Sequence, residues 1–492
     1  MSQHNLHYAI YAGKGDRPAL STPDGARLTY GEMERAAAAM SISLAARGVV
    51  RGNRVSFLAE KSPLVVLLAH ACLRLGAILH PLNTSYTDAE ISGLLGDAEP
   101  RLLVGEEAST ARLKPLADAA NAKFATLDDL CTMVPGKPQP VADVGGGDTA
   151  AILYTSGTTG KPKGAEITHA NLVESARALG KFWGITAEDR LLHALPVFHA
   201  HGLLTALNAM LVAGGEVLFL PRFEAREVIA ALPSATVMMG VPTFYARLLK
   251  EPDIATAAKN MRVLISGSAP LPLELAEQFR RATGHMLIER YGSTEAAIIT
   301  AVPPGTTDRT GWVGWPLPGV EVRLLGEDGT REMRGIGVLE TRGHNVFSGY
   351  WRNDEANAQA FAEGGWFNTG DIAEIDAAGC IRLLGREKDL IITGGLNVYP
   401  KEIETVLDTL AGVETSAVFG VPHPDFGEAV VAAVEARVGE SIDEASLIGA
   451  ARAQLAAYKT PKRVLEVDEI PRNRMGKVDK KVLRETWRSL FA

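Results

Sequence analysis

From Tyr154 to Gly164 the chain reads YTSGTTGKPKG. The stretch gathers four Ser or Thr hydroxyls, three glycines and two lysines. Upstream, Ala150 to Tyr154 is an apolar run suited to a buried strand. Downstream, His169 to Phe182 carries apolar residues at helical spacing. The pattern predicts a strand-to-helix loop. Glycines allow backbone N–H groups to approach an anion, hydroxyls donate hydrogen bonds and lysines supply charge, so a phosphate is the expected guest. The loop is not a Walker loop. There a Lys is followed by the Ser or Thr that opens the helix, whereas Lys161 here is followed by Pro162, which delays any helix. A cover over phosphates fits this better than a rigid cradle.

Outward from the loop, 492 residues are more than one hydrophobic core usually serves, so two or more domains are expected. With 46% hydrophobic and 22% charged residues, the composition is that of an ordinary globular protein. A net charge of −8 argues against nonspecific nucleic-acid binding. Cys72, Cys131 and Cys380 are scattered, without CxxC or Cys/His spacing, which points to packing roles, a reducing compartment and no zinc. Met1 to Leu20 lacks a secretion pattern. The most apolar stretch, Leu64 to Leu79, is broken by His70 and Arg74 and is too short to span a bilayer. A cytoplasmic protein with neither membrane nor nucleic-acid partner is expected.

Elements alternate along the first half. Tyr30 to Leu44 has helical periodicity, with Thr29 and Glu32 spaced as a capping box. Arg54 to Leu58 and Ser62 to Leu75 read as strand then helix, and Ala77 to Pro81 with Thr87 to Leu95 repeats the pair. Such alternation predicts an α/β fold with parallel sheets covered by helices. Between Gly311 and Asp376 short, glycine-rich strands predict a β-rich subdomain. The tail reads as strand at Leu390 to Ile392, helix from Pro400, strands at Thr415 to Val421 and Ala429 to Arg437, helix from Asp443 and strand near Val464. That is enough for a small α+β domain. The expected division is 1–386 for a large N-terminal domain and 387–492 for a small C-terminal domain.

Five motifs in order carry a resemblance. YTSGTTGKPKG is followed by ERYGSTE (Glu289 to Glu295), FNTGD (Phe367 to Asp371), GREKDLI (Gly385 to Ile391) and PRNRMGK (Pro471 to Lys477). Over nearly its whole length the chain resembles the adenylate-forming family of acyl-CoA synthetases, adenylation domains and luciferases. The resemblance implies activation of a carboxylate by ATP to an acyl adenylate, with pyrophosphate released, followed by capture with a thiol. ATP, Mg²⁺ and CoA are the implied cofactors.

By the same resemblance, Thr155, Ser156, Gly157, Thr158, Thr159, Gly160 and Lys163 hold the phosphates that leave as pyrophosphate. Thr294 and Glu295 stand at the triphosphate. A carboxylate there is repulsive unless a cation intervenes, which makes Glu295 the expected Mg²⁺ ligand. Asp371, an acceptor with two oxygens, suits the ribose hydroxyls, with Arg386 nearby. Tyr291 and the Gly267 to Pro270 turn, including Ser268 and Ala269, flank the adenine. Lys477 bridges the substrate carboxylate and the α-phosphate. Lys388 falls at the hinge, and Gly394 and Gly395 in TGGLNVYP face a thiol tunnel in a second orientation of the tail.

The acid is read from PVFHAHGL (Pro196 to Leu203), which places His199 near the pocket mouth and His201 deeper, and from Arg290. An arginine where fatty-acyl and aryl members carry small or neutral residues suits a second carboxylate. ERYG, VPTFYARLL (Val241 to Leu249) and ISGSAPL (Ile265 to Leu271) are together most similar to malonyl-CoA synthetases. Malonate, with methylmalonate as a further candidate, is therefore the expected acid. An outward Arg290 in an ion pair would instead suit an aryl, short-chain or fatty acyl-CoA synthetase. A carrier-loading adenylation enzyme is a further alternative. One departure from the family is Glu166, in the strand after the loop, where an apolar residue is usual.

Overall fold

The computed structural model describes residues 4–132, 136–155, 162–393, 396–473 and 476–491. Ser156, Gly157, Thr158, Thr159 and Gly160 of the opening loop, and Gly394 and Gly395 of the tunnel motif, lie outside the described residues.

The apolar runs form strands because they are covered on both faces. One sheet is built on parallel strands Ile78–Pro81, Arg54–Phe57, Leu102–Gly105 and Lys123–Thr126. A second runs parallel through Leu287–Ser293, Val263–Ser266, Val237–Gly240, Arg190–His193, Glu216–Phe219 and Pro18–Ser21. Helices lie between and around them. Tyr30–Ala46 begins with the expected capping box, in which Glu32 Oε2 accepts from the Thr29 backbone N–H at 2.8 Å. Pro63–Leu75, buried on nearly every side, ends at Gly76 in the left-handed conformation (φ 67°). An antiparallel sheet of Val320–Leu325, Gly335–Gly343, Trp366–Ile375 and Ile381–Arg386 supplies the expected β-rich subdomain. The class is α/β, as expected.

The opening loop is placed differently from its sequence reading. It joins two antiparallel strands, Thr149–Thr155 and Lys163–Thr168, paired from Thr155 opposite Lys163 to Thr149 opposite Thr168. The helix His169–Trp183 starts only afterwards, capped by Thr168. The strand that the resemblance placed at Glu166 is Lys163–Thr168, which lies in the sheet between Thr149–Thr155 and Gly349–Tyr350. The departure at Glu166 has a local explanation, since its carboxylate accepts from Thr149 Oγ1 at 2.9 Å.

Apolar packing divides after Ile381. A large cluster ends there, while the tail from Ile391 has clusters of its own on the two faces of its sheet. One face is covered by helices Pro400–Leu407 and Glu444–Gln454, the other by Lys480–Thr486, a helix the sequence reading passed over. Polar contacts join the tail to the body: Arg437 reaches Glu274 at 3.5 Å, and Asn397 donates to Glu327.

Candidate active site

Functional groups collect beyond the carboxyl ends of the parallel strands, where an open α/β sheet leaves its crevice. At one end stands Glu295, in the turn between Leu287–Ser293 and Ala297–Ala301. Its Oε1 accepts from Thr155 Oγ1 at 3.1 Å and from the Tyr350 hydroxyl at 3.3 Å. The Lys163 ammonium lies 5.1 Å from the Tyr350 ring centroid, which draws the far side of the loop to the same point. Gly292 makes this turn feasible, because a β-carbon there would stand 1.7 Å from the Ala297 carbonyl oxygen. Thr294 is half-buried beside Glu295. No group of three or more His, Cys, Asp or Glu suited to a metal occurs among the described residues. The donor set suits Mg²⁺, which is commonly held by one or two carboxylates together with substrate phosphates.

Asp371 and Arg386 face each other on neighbouring strands. Arg386 Nε lies 2.6 Å from Asp371 Oδ1, and the Tyr291 hydroxyl donates to Oδ2 at 2.5 Å. Burial raises the Asp371 carboxyl above its ordinary range, and Arg386, Tyr291 and Lys477 offset this only in part. Each carboxylate oxygen keeps capacity for another donor, as a ribose diol requires. Tyr291 is itself buried, with its polar end fixed by Asp371.

The third cluster surrounds Arg290. The side chain is buried and forms no ion pair among the described residues. One guanidinium nitrogen donates to Ser268 Oγ at 3.4 Å, while Nε lacks an acceptor among them. Burial draws its pKa down to about 10. Ser268 has a left-handed backbone (φ 66°), and its hydroxyl meets His201 Nδ1 at 3.1 Å. The His201 backbone N–H donates to His199 Nδ1 at 3.1 Å. Burial, then Arg290 and Lys477, depress His199 to about 4. Burial and Arg290 push His201 well below its ordinary range. Both imidazoles are therefore neutral at pH 7, and the positive charge among these three belongs to Arg290. His201 Nε2, like Arg290 Nε, is buried without a partner among the described residues. The outward ion pair weighed from sequence is absent among them. The sequence reading connected Ser268 with adenine and missed its hydroxyl bridge between His201 and Arg290.

Lys477 reaches this crevice from the tail. The Asn473 N–H donates to the Lys477 carbonyl at 2.7 Å, and Gly476 makes the turn with φ 73°. Burial, then Arg386 and Arg290, lower its pKa below the lysine range, against Asp371 and Glu295, which oppose the shift. Lys477 thus sits among groups from all three clusters. Lys388 is exposed in the short turn Glu387–Asp389 between body and tail, and Ala269 is exposed after Ser268. Behind the His199 segment lies a cavity of about 220 Å³, lined in part by Lys61, Thr84, Pro196, Phe198, Phe223 and Phe244. The sequence reading gave Lys61 no role. No helix among the described residues is long and apolar enough to cross a membrane.

Residues 9–351 match the AMP-binding enzyme family, and residues 402–477 match the AMP-binding enzyme C-terminal domain. The chain is 37% identical over 480 residues to the mitochondrial malonate–CoA ligase ACSF3 of Mus musculus, covering 89% of this chain and 82% of the relative. It is 34% identical over 471 residues to a feruloyl-CoA synthase of an Amycolatopsis species, covering 94% of each. Among solved structures, ATP-bound MatB of Rhodopseudomonas palustris superposes with a TM-score of 0.95 at 42% identity over 100% of both chains. The chain belongs to the AMP-binding enzyme family.

Proposed function

We propose that this AMP-binding enzyme is an ATP-dependent malonate–CoA ligase, acting through a malonyl adenylate and releasing pyrophosphate and then AMP. The observation that carries the choice of acid is Arg290, a buried cation without a carboxylate among the described residues. Leaving such a charge unpaired costs about 3–5 kcal/mol, which a second carboxylate on the substrate offsets and an apolar acyl tail does not. The malonate–CoA ligase among the relatives and the MatB fold support this reading. Methylmalonate keeps both carboxylates and belongs to the same class. The feruloyl-CoA relative keeps an aryl acid as the rival.

In this reading Tyr291, Ser268 and Ala269 flank the adenine, and Asp371 with Arg386 takes the ribose. Thr155 and Lys163, with Ser156, Gly157, Thr158, Thr159 and Gly160, hold the phosphates that depart. Glu295 beside Thr294 would hold Mg²⁺, which supplies charge neutralisation on the triphosphate. Lys477 brings the reacting carboxylate to the α-phosphate and balances the charge that develops in the displacement. Arg290, His199 and His201 hold the distal carboxylate. The body ends at 386, and the 387–492 domain turns about Lys388 so that Gly394 and Gly395 meet CoA. Free Cys72, Cys131 and Cys380 accord with a cytoplasmic location.

The test is a panel of acids assayed for acid-dependent pyrophosphate release and CoA-dependent thioester formation. Malonate is expected to lead both. Turnover of benzoate or octanoate with malonate inert would defeat the reading. Thioester formed on a carrier protein but not on free CoA would replace the thiol partner.

A further inference from the structure

The segment that carries His199 and His201 is a loop closed at its neck. It leaves the sheet at His193, the last residue of the strand Arg190–His193, and comes back to that residue at Gly202. There His193 Nε2 lies 3.1 Å from the Gly202 carbonyl oxygen. A carbonyl only accepts, so Nε2 carries the proton and His193 is the donor. Nδ1 is then a bare lone pair, in keeping with its burial without a partner among the described residues. Gly202 also packs against the start of its own loop, since a β-carbon there would stand 2.0 Å from the Pro196 carbonyl oxygen. The His193 ring is itself held from two directions. It stacks on Phe219 of the neighbouring strand, with ring planes 3° apart and centroids 5.6 Å apart. Lys61 Nζ donates to the His193 carbonyl at 2.7 Å and to the Leu220 carbonyl at 2.5 Å. Burial, then Lys61, push the His193 pKa well below the ordinary value, so the ring is neutral.

Beyond the neck, His201–Ala206 winds as a π-helix, and the Leu207 N–H reaches back to the same Gly202 carbonyl. Such turns are rare and are frequently found at functional sites. A glycine has no side chain to restrict its backbone, so the direction of its carbonyl must be set from outside. His193 and Leu207 set it from two sides. What they fix adjoins the acyl site: His201 precedes Gly202, and His201 Nδ1 meets, at 3.1 Å, the Ser268 hydroxyl that accepts from Arg290 at 3.4 Å.

We propose that His193 is a positioning residue for the choice of acid: by donating to the Gly202 carbonyl it sets where His201 stands beside Ser268 and Arg290, and with that the preference for a second carboxylate. This rests on the malonate reading above. His193 acts through the neck of the loop and not on the substrate. Removing its N–H frees the Gly202 carbonyl to turn, which shifts His201 and loosens the Ser268 hydroxyl against Arg290. The groups that hold ATP stand on other segments and are left in place.

The test compares the unmodified protein with His193→Phe and His193→Gln. Phenylalanine keeps a ring to stack on Phe219 but has no donor, whereas glutamine offers an amide N–H near the place of Nε2. Pyrophosphate release with malonate and with propionate gives kcat/KM for each acid, and KM for ATP monitors the rest of the site. His193→Phe should lower the malonate-to-propionate ratio roughly tenfold or more, the effect of losing a buried hydrogen bond, with KM for ATP within about twofold. His193→Gln should keep the ratio within about threefold of the unmodified protein. An unchanged ratio in His193→Phe, an equal loss on both acids, or a His193→Gln ratio as low as that of His193→Phe would overturn the proposal. Nitrogen NMR of histidine-labelled unmodified protein gives a check that does not depend on how the variants fold. The His193 ring should carry its proton on Nε2, and a proton on Nδ1 instead would overturn the proposal. Pyrophosphate release by the unmodified protein with propionate but not with malonate would instead defeat the substrate reading, and the tautomer would still judge the His193 contact.

Discussion

Arg290 lies so close over Gly267 that a β-carbon on Gly267 would stand 2.3 Å from the arginine Nε and 2.5 Å from its Cζ. Gly267 follows the strand Val263–Ser266, and its N–H donates to the Gly240 carbonyl at 3.1 Å, so the backbone has little room to retreat. The place of the guanidinium therefore depends on an absent side chain. Gly267→Ala is expected to lower kcat/KM for malonate at least about tenfold, since a misplaced charge-assisted pair forfeits more than about 1.4 kcal/mol. KM for ATP should change less than about twofold. Steady-state kinetics with each substrate varied in turn checks this, and unchanged malonate kinetics would show that Arg290 can move without consequence.

Lys477 is the tail residue that lies near Asp371, Glu295 and Arg290 together. Lys477→Ala is expected to slow adenylate formation by roughly 100-fold or more, the range for removal of one preorganised charge-stabilising group. Capture of CoA by a supplied malonyl adenylate should be far less affected. Equal loss in both half-reactions would contradict the role given to it.

Glu289 offers a pH prediction with a definite sign. It is buried, accepts from the Gly311 N–H at 3.1 Å, and burial lifts its pKa to about 7 from the ordinary 4.5. The folded state therefore holds this proton at pH values where the unfolded chain has released it. Stability from this group is fully present below pH 4.5 and is lost as pH rises through about 7. The loss is at most about 3.5 kcal/mol, because each tenfold change in proton affinity is worth about 1.4 kcal/mol. Glu289→Gln should flatten the dependence, so that urea unfolding of the two proteins converges at low pH and the variant is the more stable near pH 8. Parallel profiles across that range would remove Glu289 as the cause.

The alternating fold was legible because its strands are covered on both faces, and apolar runs such as Val263–Ser266 follow directly from that. The helix caps were legible too, since Thr29 and Glu32 act only on neighbours in sequence. The second strand of the opening hairpin was legible only through the resemblance, because Lys163–Thr168 has two neighbouring strands but no long apolar run to mark it. In the site, motif residues could be named in advance because each motif is local. The bridge from Ser268 to His201 and Arg290 could not, for it joins three separate segments through side-chain geometry. Lys61 was invisible for the same reason. Its partners His193 and Leu220 belong to another sheet, and a lone lysine before a helix carries no pattern.

Whether Arg290 reads the second carboxylate is decided by kcat/KM for malonate and for propionate in the unmodified protein and in Arg290→Ala. A strong preference for malonate that collapses in the variant is expected. Malonate should lose roughly 100- to several thousand-fold, the equivalent of the ~3–5 kcal/mol at stake, while propionate changes only a few-fold. An equal loss on both acids, or an unmodified protein that prefers propionate, would contradict this role for Arg290.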